Sequence, residues 1–194
     1  MMKISNQKVS VREKIVTTAV ELFYSRGVNN VGIDEIIARS GVAKMSLYNH
    51  FKSKDELVIA YLEQINAQWI PMMRQKVDQL TSSPQKRLLA FFDALEEWMR
   101  SKEFRGCPYI NTTAEIANIN HPVAKKCLSF KQGMSDYIEE LVKQAGVSKP
   151  KEITSQIVLL IDGSIVRTLM TKNADHAKQA KKACMVLIDQ AKGG

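Results

Sequence analysis

A chain of 194 residues, 45% of them hydrophobic, can bury a proper core and is long enough for one or two domains. Its net charge of +8 suits a polyanionic partner, while Cys107, Cys127 and Cys184 stand far apart and outside any CxxC or HExxH pattern, which argues against a disulfide framework and a zinc site. No run of eighteen apolar residues occurs and Met1 to Gln7 is polar, so the sequence predicts neither a membrane span nor a signal peptide and points to the cytoplasm.

Ser10, three residues before Glu13, reads as a capping box that opens a helix over about 11–25. Ile15, Val16, Ala19, Leu22 and Phe23 form its core face, and Gly27 suits its stop. Ile33, Ile36 and Ile37 repeat the spacing in a short second helix, which carries Asp34 and Glu35 in its first turn and stops at Ser40-Gly41. A third short helix ends near Phe51, and Ser53 with Glu56 reads as a second capping box at the head of a long fourth helix. Pro71 is expected to kink or end that helix. Beyond Leu57 the pattern is helical throughout, with breaks at 83–84, 105–108, 121–122, 149–150 and 173 and no period-two alternation or internal repeat. The expected fold is all-α, about nine helices: an N-terminal three-helix domain over 8–54 and a larger helical domain over 55–194.

The third helix raises a question of purpose, because much of it is polar. Advancing about 100° per residue from Leu47 puts Ala43 and Phe51 on its side and Met45 and Asn49 opposite. Ser46 and Tyr48 flank that outer face, with Lys44 and His50 at its margins. Two short helices joined by a Gly-containing turn form a helix-turn-helix, whose second helix enters the major groove of DNA. Asparagine pairs with adenine edges, serine with several bases, methionine touches a thymine methyl, and lysine and tyrosine reach phosphates. Without the surrounding motif, packing between helices would be the favoured reading of Tyr48 and His50.

The stretch "VGIDEIIARSGVAKMSLYNHFKSKDEL", preceded by "AVELFYSRG", resembles the tetracycline-repressor (TetR, AcrR-like) family of bacterial regulators. A second stretch, "RGCPYINTTAEIANINHPVA", resembles a linker-and-helix signature of one branch of that family. The resemblance implies a symmetric homodimer on a double-stranded DNA operator, with a larger domain that takes a small-molecule inducer and repression as the commoner outcome. Carried over position by position, the recognition helix is Lys44, Met45, Ser46, Tyr48, Asn49 and His50, with Tyr48 and Lys54 where phosphates are held. The family's second helix usually opens with threonine or serine, where this chain has Val31 and Gly32, and one phosphate contact is weakened there.

For the inducer, Phe91, Phe92, Trp98, Met99 and Tyr109 offer apolar surface and Asn111 and Glu115 polar contacts, although such residues at helical spacing also suit a core. Apolar residues wrap much of the eighth helix, more than one face of a monomer needs, and small residues line one side of the ninth. In the resembling family these helices pair with their copies, which assigns Ile157, Ile161, Ile165, Leu169, Ala180, Cys184 and Leu187 to the dimer interface; burial inside one chain is the alternative. Cys107, before Pro108 at an expected helix start, admits a thiol-sensing regulator whose pKa the helix dipole lowers. A cysteine enzyme would need Cys107 with His50, His121 or His176 as base, but no phosphate loop, GxSxG elbow or metal constellation accompanies them. An architectural DNA-binding protein without ligand response is the third class. The sequence reading is therefore a regulator without catalytic residues, cofactor or metal.

Overall fold

A computed structural model describes residues 9–193. The polar start over 1–7, and residue 8 at the head of the expected first domain, lie outside them. The described residues form nine α-helices and one short 3-10 turn. The first three are α1 (Val11–Arg26), α2 (Ile33–Ser40) and α3 (Lys44–His50). α4 (Lys54–Leu80) then leads through the turn at Pro84–Lys86 into α5 (Arg87–Met99) and α6 (Pro108–Ile116). α7 (Pro122–Gln144), α8 (Pro150–Thr171) and α9 (Asp175–Gly193) complete the larger domain. Proline opens α6, α7 and α8, where its missing N–H costs no helical bond.

Caps set the boundaries. The Ser10 amide donates to Glu13 Oε2 at 2.7 Å and the Glu13 amide to Ser10 Oγ at 3.1 Å, the reciprocal box the spacing predicts. The second box is only half made. Ser53 Oγ accepts from the Glu56 amide at 3.2 Å, but the Glu56 carboxylate accepts from the Lys52 amide at 2.7 Å, because the extended backbone at Ser53 (φ −148°) brings that earlier N–H to the helix head. Gly41 takes a left-handed conformation (φ 66°) between α2 and α3, where any side chain would be strained.

α4 serves both domains. Its first half buries Leu57, Val58, Tyr61 and Leu62, with Tyr61 edge-on to Phe23 of α1 at 5.6 Å, and its second half buries Met73 and Val77. The helix does not end at Pro71; it runs through, since the residues beyond are held by the core of the larger domain. Pro71 itself is exposed and removes the backbone bond to Ala67. The α5–α6 loop, the start of α7 and the α8–α9 turn gather at the end nearest α1: His121 Nε2 lies 3.4 Å from Asp55 Oδ2, and Arg100 bonds Asp175 at 2.9 Å.

α8 is long and apolar enough to cross a membrane by length and composition alone, a test that the core helix of a globular protein also passes. One face, with Ile157, Ile161 and Ile165, packs inside the chain, while Leu159 and Met170 are 72% and 70% exposed on the other.

Candidate nucleic-acid interface and inner cavity

α3 is pinned from behind. Leu47 is fully buried and Phe51 nearly so, and the Arg12 guanidinium lies 5.3 Å over the Phe51 ring, a support the sequence pattern did not reveal. The outer side carries Met45, 73% exposed, with Lys44, Tyr48, Asn49 and His50 also exposed and Ser46 half-buried. Lys44 Nζ lies 3.1 Å from Asp34 Oδ1, and that bond raises the ammonium's pKa. Lys52, also absent from the sequence candidates, donates to the Tyr48 carbonyl at 3.3 Å, placing positive charge where the helix dipole favours it. Lys54 is half-buried in the first turn of α4. Val31 is fully buried and Gly32 caps α2 without a side-chain bond, so the departure from the usual threonine or serine gives the core an apolar anchor.

In the larger domain, α4, α5, α6, α7 and α8 enclose a small cavity of about 20 Å³. Trp69, Trp98, Tyr109, Phe130, Met134 and Ile165 supply most of its wall. Trp69 and Trp98 meet edge to face at 6.0 Å, and the polar feature is Tyr109 Oη, 3.5 Å from Asn66 Oδ1. Burial raises the Tyr109 pKa, so its hydroxyl stays neutral. On the other side of α6 an open groove of about 390 Å³ runs between α6 and α7, and Tyr109 borders both spaces.

Of the inducer candidates, the structure brings Trp98 and Tyr109 to this cavity and places the others elsewhere. Phe91 and Phe92 pack in the core, with Phe91 6.0 Å from Tyr137. Met99 borders a separate cleft by the α8–α9 turn. Asn111 lies about 200° around α6 from Tyr109 and donates to the Arg105 carbonyl at 2.7 Å. Glu115 shares that side, and its carboxylate accepts from the Asn29 amide at 2.8 Å, tying α6 to the α1–α2 turn. The sequence reading missed Ile65, Asn66, Trp69 and Ile70 of α4; an apolar stripe on a long helix signals burial but not which neighbours converge on it.

Most of the residues expected at a dimer interface face the core of their own chain. Ile157, Ile161, Ile165, Ala180 and Cys184 are buried within the chain, and Leu169 and Leu187 are half-buried. Because α8 is apolar on both sides, its pattern does not say which side turns inward. Cys107 caps α6 but is 6% exposed, and burial pushes its thiol up despite nearby Lys131 and two backbone bonds, the reverse of the dipole expectation. None of the three histidines bonds it among the described residues: His50 is exposed on α3, His121 caps α7, and His176 meets the Thr171 hydroxyl at 3.0 Å.

A tight helix-turn-helix with a polar, exposed second helix, set on a helical domain with an apolar cavity, defines a DNA-binding transcriptional regulator. Residues 15–61 match the family described as "Bacterial regulatory proteins, tetR family", and residues 84–184 match "Tetracyclin repressor-like, C-terminal domain". The chain belongs to the TetR family. It is 28% identical over 170 residues to the HTH-type transcriptional regulator LmrA of Bacillus subtilis, covering 84% of this chain and 88% of the relative. It is 24% identical over 110 residues to the HTH-type transcriptional repressor NemR of Escherichia coli, covering 56% of this chain and 55% of the relative. A solved TetR-family transcriptional regulator from Streptomyces coelicolor superposes with a TM-score of 0.82 at 27% identity, covering 94% of this chain and 90% of that one. These relatives are regulators, not enzymes.

Proposed function

We propose that the protein is a cytoplasmic, homodimeric repressor that reads a near-palindromic operator with α3 and is released by a small, largely apolar molecule. The observation that carries the reading is the outer face of α3, polar and exposed over the buried anchors Leu47 and Phe51. Asn49 and Ser46 reach base edges, Met45 a thymine methyl, and Lys44, Tyr48, His50 and Lys54 the backbone. Lys44 first gives up or shares its bond to Asp34. The division at 54–55 falls one residue into α4, whose first half packs on α1, so that α4 carries movement from one domain to the other.

The dimer forms through the outer faces of α8 and α9. Leu159, Val166 and Met170 on α8 and Met185 and Val186 on α9 are exposed, with Leu169 and Leu187 at their margin. Monomeric soluble proteins rarely expose large apolar patches, and a two-fold pairing covers these side chains with their own copies. Two α3 helices on that axis meet successive major grooves about 34–36 Å apart or somewhat more.

The ligand enters between α4, α6, α7 and α8. A cavity of about 20 Å³ holds no such molecule as it stands, so binding requires opening and displaces α4 at Trp69 and Ile70 beside Pro71. A ligand shifts the equilibrium only by its preference for one state, about 5.5 kcal/mol for a near-complete switch. Opening supplies the structural difference on which such a preference rests. A metabolite library titrated against a preformed protein–operator complex tests this, with affinity measured for free and DNA-bound protein. The reading requires that releasing ligands bind free protein more tightly; equal affinities for both forms contradict it. Pro71→Ala is expected to change the releasing concentration more than the affinity for DNA without ligand.

A further inference from the structure

A third opening lies apart from the cavity and the groove, at the end of the larger domain nearest α1. It is a cleft of about 330 Å³ between the α5–α6 loop, with Arg100, Ser101, Lys102 and Arg105, and the α8–α9 turn, with Lys172 and Asn173. Its lining holds four cationic side chains and no carboxylate.

The charges around it are unevenly matched. Arg100 is compensated, bonding Glu96 at 2.7 Å and Asp175 at 2.9 Å, and Lys178 meets the same two acids at 3.4 and 3.1 Å. Lys102, Arg105 and Lys172 form no ion pair among the described residues. The Arg105 guanidinium instead donates to the carbonyls of Lys102 at 3.2 Å and Phe104 at 2.9 Å, which shapes the loop without cancelling its charge. Glu103, the loop's own acid, is exposed and outside the lining. Asn173 accepts the Asp175 amide on its Oδ1 at 2.9 Å, leaving its Nδ2 donor available, and Ser101 adds a hydroxyl.

Three cations without ion-pair partners line one concave space, and an anion bound there offsets their charge. The donor set is guanidinium, ammonium, amide and hydroxyl, which suits phosphate oxygens. Unpaired cations stand on both walls, Lys102 and Arg105 on the α5–α6 loop and Lys172 at the α8–α9 turn, so a ligand with two linked anionic groups has a partner for each. We propose that this cleft binds a small diphosphate-bearing molecule, independently of the apolar cavity. Such a ligand braces the α5–α6 loop against the α8–α9 turn. That loop docks the DNA-binding domain, since the Arg105 amide donates to Tyr24 Oη at 3.1 Å and Tyr24 Oη donates to the Gly106 carbonyl at 3.3 Å.

The test titrates sodium pyrophosphate into the full-length protein by calorimetry at constant ionic strength, with sodium chloride as the matched control. Saturable binding of one pyrophosphate per chain is expected. The double variant Lys102→Gln, Lys172→Asn is expected to bind about tenfold or more weakly, in line with the loss of two charge-assisted contacts. Asparagine at 172 suits the left-handed backbone there (φ 56°), and an unchanged unfolding midpoint verifies the fold. Heats that follow ionic strength alone, or equal affinity in the variant, overturn the proposal. So does a variant whose only change is a smaller salt dependence of operator binding, which assigns these cations to DNA phosphates instead.

Discussion

α3 and α8 solve the same geometric problem with opposite chemistry. Each buries one face in its own chain and leaves the other exposed: α3 exposes asparagine, tyrosine, histidine and lysine over Leu47, while α8 exposes Leu159, Val166 and Met170 over Ile157, Ile161 and Ile165. A polar ridge fringed with cations gains little from a second apolar surface and much from hydrogen-bonding base edges and phosphates. An apolar face gains from leaving water, and its own copy supplies a surface of matching character. On the proposed reading, the uncovered side of each helix names its partner once the covered side is known.

The most damaging change to this arrangement strikes the outer side of α8. Leu159→Asp with Met170→Asp puts charge at the centre of the proposed pairing, and sedimentation at micromolar concentration is expected to show a monomer with an intact helical spectrum. If the double variant remains dimeric, the pairing uses another surface.

Next in size is the inner side of α3. Leu47→Ala empties a fully buried site and is expected to cost about 2–5 kcal/mol, read by denaturant unfolding, with operator binding lost as α3 comes away. A variant of wild-type stability would mean that α3 is held by something other than its packed face.

Smaller effects separate the roles on the outer side of α3. Lys54→Ala is expected to weaken binding to all duplexes alike and to reduce the salt slope by roughly one unit. The inner side of α9 offers a gentler check. Burial pushes the Cys184 thiol up to about 12, so at pH 8 its thiolate fraction is on the order of 10⁻⁴. The folded protein is expected to leave Cys184 unlabelled by a thiol reagent at that pH, and unfolding to expose it. Rapid labelling in the native state would show that this side of α9 is open.

The difference between α3 and α8 also explains what the sequence disclosed. In α3 one side is apolar and the other is not, so Leu47 and Phe51 declare the inner face and Asn49 and Met45 the outer. In α8 both sides are apolar, and periodicity leaves Ile161 and Leu159 indistinguishable until the neighbouring helices are in place. The inner cavity is harder still, because it is a meeting of five helices: Trp98 and Tyr109 were legible as large apolar side chains, but Trp69 depends on how α4 rotates against α5. Asn111 and Glu115 look like ligand contacts in a linear reading, and only the turn of α6 sends them toward Arg105 and Asn29. Pro71 reads as a breaker, yet burial on both sides of it outweighs the missing backbone bond.

The central claim is that the outer face of α3 reads bases, and selection from random duplexes followed by anisotropy with Asn49→Ala tests it most directly. The account predicts a near-palindromic site for the wild type. It also predicts a loss of about 1–3 kcal/mol for Asn49→Ala, confined to one position and its symmetry mate, where preference relaxes. No symmetric site, or an Asn49→Ala loss equal on selected and random DNA, would contradict it.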